Sequence, residues 1–578
     1  MQSPVNMGSR LLHILHPANE RFWIPLAAGI ILVSRLPYVN VFCLNMDEGI
    51  MGVMANTILD GGLPYRDAWN HHPPLVYYLY AAVFAVAGRG NMVAIRLVTI
   101  GWVMATAWIL QRIGRESSDS EVGNLAAFLY AIFSVAFLRM DALATDAEIV
   151  MLLFTSGAVY LFLTGHFSSD RRRRRIFLAG FCLGAAFLAK PQGAMDAAAI
   201  GAFLLLGGWR GGRSGRWKET LIFMSAGFVL PTLGVLAYFA FRGALDDLIF
   251  LTVTYNLKIY GPAIPLQKQA ALALVNPLPL LPLNWLLWGL ALFRIGHVLH
   301  RRTFWPRSDS LFFLWAFFAF IGASMGGRGF GHYYLQMLPP LCLLGAFSLK
   351  WIRQRLGVFT HLKKQGEPYI PPRHMPPHRV TWPQRAQNPR PGKAVRILLA
   401  CILAAGMVAP VVNVLPASIR QLSASYVIGD PSPDLDPTYL ELARYIRQNS
   451  REDHRIFVWG FQPIIYAASG RRPASKFIIC HALTGQIPWV NIDPDTDTSP
   501  WILPGSWKLL MEELEATKPL FIVDTSPGNY AAYGKYPIQR YLRLYWFIKR
   551  HYVLDRVIFR EGGRGKRPYY HVYRRLTS

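Results

Sequence analysis

Acidic residues and cysteines are scarce in this chain of 578 residues. It has 33 aspartates and glutamates against 60 lysines and arginines, which gives a formal net charge of +27, and it has five cysteines. Cys43, Cys182, Cys342 and Cys401 lie in or beside apolar runs, and Cys480 lies in the polar C-terminal part. The sequence therefore predicts neither a disulfide framework nor a metal site built on cysteine pairs.

Charged residues of both signs together are also few, at 16% of the chain against 53% hydrophobic residues. Apolar runs of roughly 20 residues, the length at which a helix crosses about 30 Å of hydrocarbon, recur from residue 22 to residue 416. The first run, Phe22–Phe42, is too long for a signal peptide and lacks a small-residue cleavage site, so it is interpreted as a retained span. The chain is predicted to be a polytopic α-helical membrane protein.

The pattern contains about eleven candidate transmembrane helices. They are 22–43, 92–112, 121–139, 148–165, 176–190, 193–208, 220–242, 272–296, 309–326, 332–349 and 395–416.

Most basic clusters lie between these apolar runs, where lysine and arginine are typical of cytoplasmic loops. With the amino terminus inside, basic clusters fall on the cytoplasmic side at 112–115, 171–175, 210–218, 301–307 and 350–394. The last of these contains the proline-rich stretch 361–393, which is predicted to be an extended linker. The positive charge therefore indicates orientation in a membrane rather than nucleic-acid binding.

The same orientation places the C-terminal end of the chain on the outer face. After residue 416 the composition becomes that of a soluble domain, in which strand-like runs at 455–460 and 519–524 alternate with a helix-like run at 506–517. We predict a membrane domain over residues 1–416 and an extracytoplasmic α/β domain over residues 417–578. Four segments between spans are also predicted to lie outside: 44–91, 141–147, 243–271 and 326–331.

The first outer loop, 44–91, begins "LNMDEGIMGVMANTILDGG". Its apolar residues recur at helical spacing until two glycines end the pattern, which predicts an amphipathic helix on the membrane surface with Asp47 and Glu48 in its first turn. Asp47 in this position suits two roles. It can cap the helix, because aspartate is a preferred N-cap residue, or it can serve chemistry at the surface.

The rest of this loop resembles the C-type glycosyltransferase superfamily, in the branch that contains protein O-mannosyltransferases and lipid A aminoarabinose transferases. Two later stretches are similar to a second acidic site, "TDAEIVMLLF" (145–154), and to a late outer loop, "GRGFGHYYLQMLPPL" (327–341). The tail stretch "VWGFQPIIYAASGRRPASKF" (458–477) is similar to bacterial members. The matching features of the first loop are Asp47-Glu48, Gly62, Pro64-Tyr65, His72, Pro73-Pro74-Leu75, Tyr77-Tyr78, Gly88 and Arg96-Leu97.

This resemblance implies an integral-membrane glycosyltransferase of a bacterial plasma membrane. It would move a hexosyl or pentosyl group from a polyprenyl-phosphate donor to a hydroxyl of a lipid, glycan or protein acceptor on the outer face. By resemblance Asp47 is the general base, and Glu48 orients it or helps to hold the acceptor or a metal ion. One base and one displacement imply inversion at the anomeric carbon.

The leaving group of such a reaction is a lipid phosphate, which requires cations or hydrogen-bond donors at the level of the headgroups. Five residues are candidates for that role: Lys190, Arg328, His332, His72 and His71. For Lys190 the alternative is a side chain that extends to the interface, and for Arg328 and His332 it is an ordinary charged loop. His72 stands where members of the family often carry lysine, and histidine is largely neutral near pH 7.

Asp146 and Glu148 form the second acidic site predicted by the resemblance. At least one of them should face a cavity, because a carboxylate that points into lipid is costly. Asp141 is interpreted as a plain loop residue, and Arg139 could pair with any of the three. The two histidines together with these acids also permit a divalent cation, which ranks below phosphate contact; no other cofactor is predicted.

Two different classes of function remain as alternatives: a polytopic transporter, and a noncatalytic component of a cell-envelope polysaccharide assembly system. Transporters typically contain internal repeats and interrupted helices in matching halves, and neither is found in this sequence. A noncatalytic component would not need a carboxylate pair at the outer surface. Both observations favour the glycosyltransferase.

Overall fold

The computed structural model describes residues 16–136, 143–166, 171–211, 216–300, 308–356, 392–423, 436–487, 495–562 and 565–576. Arg139, Asp141 and residues 361–391 of the predicted linker lie outside these described residues.

The α-, 3₁₀- and π-helices make up nearly all of the regular secondary structure in the described part of residues 16–423. Short 3₁₀ segments occur at Leu36–Tyr38, Leu278–Leu280, Met325–Gly327 and Gly331–Met337. The α-helices are α1 (Glu20–Arg35), α2 (Met46–Leu59), α3 (Leu75–Ala87), α4 (Met92–Ser117), α5 (Ser120–Phe133), α6 (Ala147–His166), α7 (Arg172–Ala189), α8 (Gly193–Gly211), α9 (Arg216–Phe241), α10 (Leu245–Ile249), α11 (Leu266–Val275), α12 (Leu281–His300), α13 (Ser308–Ser324), α14 (Leu338–Leu356) and α15 (Lys393–Ser423).

Seven helical segments of the described chain are long and apolar enough to cross a membrane. α1 and α5 fall short of the predicted spans, with 16 and 14 residues. In the first span the helix gives way to a 3₁₀ turn that begins at Leu36, since Pro37 has no N–H to continue the α-helical pattern. The seven segments are Met92–Ser117, Ala147–His166, Arg216–Phe241, Leu266–His300, Ser308–Gly327, Gly331–Leu356 and Lys393–Asn413.

Helices α7 and α9 pack with their backbones in direct contact. A Cβ atom added at Gly180 would lie 2.0 Å from the carbonyl oxygen of Met224, and one added at Gly227 would lie 2.0 Å from the carbonyl oxygen of Phe177. Glycine at both positions is therefore required for this crossing, as is typical of helices that associate in a membrane. The outward side of α9 is apolar and exposed, with Ile222 at 67%.

The C-terminal part is built on one mixed sheet of five strands in the order β2-β1-β3-β5-β4. β1 is parallel to β2 and β3, whereas β5 is antiparallel to β3 and β4. β1, β3 and α19 lie where the sequence predicts strands and a helix. The elements are α16 (Thr438–Gln448), β1 (Arg455–Trp459), α17 (Ile464–Ser469), β2 (Arg472–Pro473), α18 (His481–Thr484), α19 (Ser506–Thr517), β3 (Phe521–Asp524), α20 (Leu542–His551), β4 (Tyr552–Gly562) and β5 (Gly565–Arg575).

The first outer loop and the tail share one hydrophobic core, and α2 lies inside it. Met51 and Met54 of this helix are buried, and Gly49 packs against the backbone of Ile464 in α17, where an added Cβ would approach to 3.0 Å. The prediction of a helix with Asp47 and Glu48 in its first turn is confirmed. The structure adds that the tail packs against this helix; its predicted position on the membrane surface stays a prediction.

Candidate functional site

Asn45 begins helix α2 and connects the two acidic stretches. Its side-chain oxygen accepts from the backbone N–H of Glu48 at 3.0 Å, so Asn45, and not Asp47, caps the helix. Its side-chain nitrogen donates to both carboxylate oxygens of Asp146, at 2.9 and 3.1 Å. One amide therefore places the predicted second acidic site beside the start of α2.

Asp47 is half-buried in the first turn of α2, and its carboxylate has neither a hydrogen bond nor an ion pair with any other described residue. Burial raises the pKa of the Asp146 carboxyl well above its usual range, His332 opposes this shift, and the negative charges of Asp47 and Glu148 add to it. Asp47 and Asp146 thus belong to one electrostatic environment. Of the two, Asp47 is the carboxylate without a protein partner.

Glu48 points the other way, into the protein, and is fully buried. It forms an ion pair with Arg96 of α4, with 2.6 Å between Oε2 and Nη2, and accepts from the backbone N–H groups of Leu44 and Thr145 at 2.7 Å each. These contacts occupy both carboxylate oxygens. Glu48 therefore has a scaffold role in the fold. Its predicted role of orienting the base or holding the acceptor or a metal ion stays a prediction.

Glu148 and Lys190 form a second buried ion pair, between the first turn of α6 and the residue that follows α7. The Lys190 ammonium also lies 3.7 Å from the centroid of the Tyr333 ring. Nε2 of His332 is 3.8 Å from Glu148 Oε1. The structure thus brings together the predicted residues Glu148, Lys190 and His332, and it shows that Lys190 already has an anionic partner.

Arg328 lies over the ring of Tyr260, with its guanidinium 3.7 Å from the ring centroid, and donates to the carbonyl oxygen of the same tyrosine. The Arg328 side chain is only 5% exposed, and its Nη1 has no hydrogen-bond partner among the described residues. The ring of Tyr260 also lies near His71, with 4.3 Å between the ring centroids, so Arg328, Tyr260 and His71 form one cluster. Arg328 therefore retains donor capacity at a buried position.

His71 and His72 lie next to this cluster. Burial lowers the pKa of both imidazoles, and for His71 the neighbouring His72, His481, Arg328 and Lys190 lower it further. Both histidines are thus neutral near pH 7. His72 therefore does not reproduce the charge of the lysine that it replaces.

Within the described ranges, no group of three or more histidine, cysteine, aspartate or glutamate side chains is arranged to hold a metal ion. The divalent cation considered from the sequence has no ligand set to which it can be attributed there.

Several residues of this site were not predicted as site residues from the sequence. Tyr260 and Tyr333 lie under the two cations, and His481 reaches the region from the tail. Tyrosine is common in this chain, and no local pattern distinguishes these two. Arg96 belongs to the motif of the first loop, but its partner is 48 positions away in the chain, so the motif does not reveal the ion pair.

Asn45→Ala should destabilise the protein more than a matched loss of a helix cap elsewhere. Removing an N-cap costs about 0.5–2 kcal/mol, and here the change also removes both side-chain donors to the buried Asp146. Asn91→Ala is the control, because Asn91 caps α4 through the N–H of Ala94 at 3.1 Å and its side-chain nitrogen donates to a backbone carbonyl oxygen, that of Ala87, rather than to a carboxylate. Thermal unfolding in detergent compares the two, and equal decreases in midpoint would contradict the bridging role of Asn45.

Comparison with known proteins identifies a related family and related folds. Residues 71–238 match the family described as dolichyl-phosphate-mannose-protein mannosyltransferase. No curated protein sequence matches the chain. The structure of ArnT from Cupriavidus metallidurans bound to undecaprenyl phosphate is 14% identical with a TM-score of 0.58, over 96% of this chain and 98% of that chain.

The archaeal oligosaccharyltransferase AglB from Archaeoglobus fulgidus, in complex with an inhibitory peptide and a dolichol-phosphate, is similar to the same extent. It is 14% identical with a TM-score of 0.55, over 95% of this chain and 73% of that chain. These likenesses confirm the resemblance to C-type glycosyltransferases that the first outer loop predicts.

Proposed function

From the C-type glycosyltransferase fold of this chain we propose that it is a membrane glycosyltransferase. It moves a sugar from a polyprenyl-phosphate donor to an acceptor hydroxyl on the outer face of a bacterial plasma membrane. The matched family and the undecaprenyl phosphate bound to ArnT support this donor class. In this proposal the tail, residues 417–578, is extracytoplasmic, because it covers the first outer loop.

The observation that carries the proposal is the isolated carboxylate of Asp47. Glu48 is paired with Arg96, Glu148 is paired with Lys190, and Asp146 accepts from Asn45. Asp47 is the member of this acidic group that can accept a proton from an incoming hydroxyl without giving up a protein partner.

The proposed reaction is a single displacement. As Asp47 takes the proton of the acceptor hydroxyl, the acceptor oxygen bonds to the anomeric carbon, and the bond between that carbon and the phosphate oxygen breaks. Attack on the face opposite the leaving group inverts the anomeric configuration. The electron pair of the broken bond leaves with the lipid phosphate, which gains negative charge.

Arg328 is the proposed contact for that phosphate. Its unpartnered Nη1 can donate to a phosphate oxygen while Nη2 remains bonded to Tyr260, and such a fixed donor stabilises charge that develops on the leaving group. Lys190 has further N–H groups beyond its pair with Glu148 and is the second candidate. His71, His72 and His332 contribute as hydrogen-bonding groups.

The proposal is tested by reconstituting the purified protein in liposomes with radiolabelled polyprenyl-phosphate sugars extracted from bacterial membranes. Lipid, glycan and peptide acceptor fractions are supplied separately, so that the same assay reports the acceptor class. Transfer of label to one of these fractions is expected. Absence of transfer from hexosyl and pentosyl donors to every fraction would favour a transporter or a noncatalytic component instead.

Arg328→Gln should weaken the binding of undecaprenyl phosphate by about tenfold or more, because a charge-assisted hydrogen bond contributes about 1.5–3 kcal/mol. Binding to the protein in nanodiscs is measured by scintillation proximity. Arg242→Gln is the control, because Arg242 is an exposed arginine at the end of α9. Equal affinities of wild type and Arg328→Gln would remove Arg328 from the phosphate site.

A further inference from the structure

The tail brings one histidine to the region of Arg328. His481 is the first residue of α18, and its ring stacks on Phe461, with 5.1 Å between centroids and an angle of 15° between planes. The segment just before it is bound to the first outer loop, where the backbone N–H of Trp69 donates to the carbonyl oxygen of Lys476 at 2.8 Å. Two tail elements therefore hold the imidazole in a fixed orientation beside the outer loop.

The buried nitrogen atoms of this region that have no hydrogen-bond partner among the described residues include Nε2 of His481 and Nη1 of Arg328, and Nδ1 of His72 on the first outer loop. The side chains of His481 and Arg328 are 7% and 5% exposed. Buried polar atoms without partners are rare in folded proteins, because they lose their bonds to water without replacement. Nε2 of His481 and Nη1 of Arg328 belong to different segments of the chain, so one local distortion does not account for both. A bound substrate with polar groups would supply a partner to each.

Burial, and after it the positive charge of Arg328, lower the pKa of His481 to about 3. His481 in turn is among the groups that lower the pKa of His71, after burial and His72. Arg328, His71 and His481 thus lie within electrostatic reach of one another. Near neutral pH the His481 ring is uncharged, with one nitrogen that donates and one that accepts.

A neutral imidazole is suited to a hydroxyl group, which both donates and accepts a hydrogen bond. It is less suited to a phosphate, for which the adjacent Arg328 supplies a permanent charge. The two groups therefore match two parts of one substrate complex, an anionic part and a polyol part.

We propose that His481 hydrogen-bonds a hydroxyl group of the substrate bound beside Arg328, which makes the tail a part of the substrate site. This inference rests on the proposed function, because it takes Arg328 to be the phosphate contact. The hydroxyl belongs to the sugar of the donor or to the acceptor. Both sources present the same chemistry to the imidazole, and kinetics separate them.

The test uses the full-length protein and two substitutions. His481→Phe keeps a planar ring against Phe461 and removes both nitrogens, whereas His481→Asn keeps a group that donates and accepts. His551→Phe is the control, because His551 precedes β4 at the opposite end of the sheet, where Tyr552 pairs with Arg575. The probes are undecaprenyl phosphate without sugar, for binding, and the radiolabelled polyprenyl-phosphate sugar extract with the acceptor fraction that wild type uses, for transfer.

We expect His481→Phe to lower kcat/KM for transfer by about tenfold or more, the effect of leaving a substrate hydroxyl without its partner. Its thermal midpoint and its affinity for undecaprenyl phosphate should equal those of wild type, and His481→Asn should recover part of the loss. A rise in KM for the donor alone places the contact on the donor sugar. A rise in KM for the acceptor alone places it on the acceptor.

Two results would overturn the assignment of His481. One is wild-type kcat and KM in His481→Phe. The other is a loss of undecaprenyl phosphate affinity as large as that of Arg328→Gln, since the contact would then be with phosphate. If wild type itself transfers no sugar from any donor, the proposed function fails, and the role of His481 fails with it. If wild type transfers sugar and His481→Phe transfers it equally well, the role of His481 is refuted and the proposed function is retained.

Discussion

Asp47→Asn should abolish most sugar transfer while leaving the protein folded and able to bind the lipid donor. The amide has nearly the shape of the carboxylate but cannot accept the proton of the acceptor hydroxyl. General bases of this kind contribute about 10²- to 10⁴-fold to rate, so a loss of that size is expected in kcat. Radiolabel transfer from the polyprenyl-phosphate sugar extract measures it.

Because Asp47 is half-buried and has no protein partner among the described residues, Asp47→Asn should change catalysis without changing stability or donor binding. No protein hydrogen bond or ion pair of the described residues is lost with the charge, so the thermal midpoint should remain at the wild-type value. Affinity for undecaprenyl phosphate should also be retained, because Arg328 is unchanged. Asp246→Asn is the matched control, because Asp246 is an exposed carboxylate in the short helix α10. Transfer by Asp47→Asn within twofold of the control would show that another group is the base.

Glu48→Ala should unfold the protein at a much lower temperature, although it neighbours Asp47 in the sequence. It leaves Arg96 buried without its anionic partner, and breaking a buried ion pair in this way costs about 3–5 kcal/mol. It also leaves the N–H groups of Leu44 and Thr145 without their acceptor. Thermal unfolding of the detergent-solubilised protein checks this result.

The double variant Glu48→Leu with Arg96→Leu should regain a large part of that stability, because replacing both partners of a buried pair by apolar residues removes the uncompensated charge. Glu512→Ala is the control for loss of a carboxylate, since Glu512 forms an exposed pair with Lys508 and such pairs contribute little. A Glu48→Ala midpoint equal to that of Glu512→Ala would contradict the scaffold role. Equal midpoints for Glu48→Ala and the double variant would mean that the isolated Arg96 charge is not the cause.

Asp47 and Glu48 are adjacent in the sequence but have different environments, and the sequence alone could not distinguish their roles. Adjacent residues on an α-helix point about 100° apart, since the helix has 3.6 residues per turn. One of them must therefore face a different surface from the other. Which surface is protein and which is substrate depends on where α4 and the tail pack against α2, and neither is near Asp47 in the chain.

The sequence likewise could not distinguish the two carboxylates of the second acidic site. Asp146 and Glu148 are equivalent in the resemblance, and in the structure one accepts from Asn45 while the other pairs with Lys190. Both partners lie far along the chain, at separations of 101 and 42 residues. The sequence predicted that buried carboxylates need partners, because burial of an unpaired charge is costly. It contained no information on which partner each one takes.

The sequence by itself determined the class of the protein, the start of α2 with its two acids, and the strands and helix at 455–460, 519–524 and 506–517. These features depend on apolar run length, on periodicity and on residue type, which act over a few neighbouring residues. Only the tertiary structure decided that the tail buries α2, that Asp47 stays unpartnered while Glu48 is paired, and that His481 lies within electrostatic range of Arg328. Those outcomes depend on contacts between distant segments, which form only when the whole chain packs.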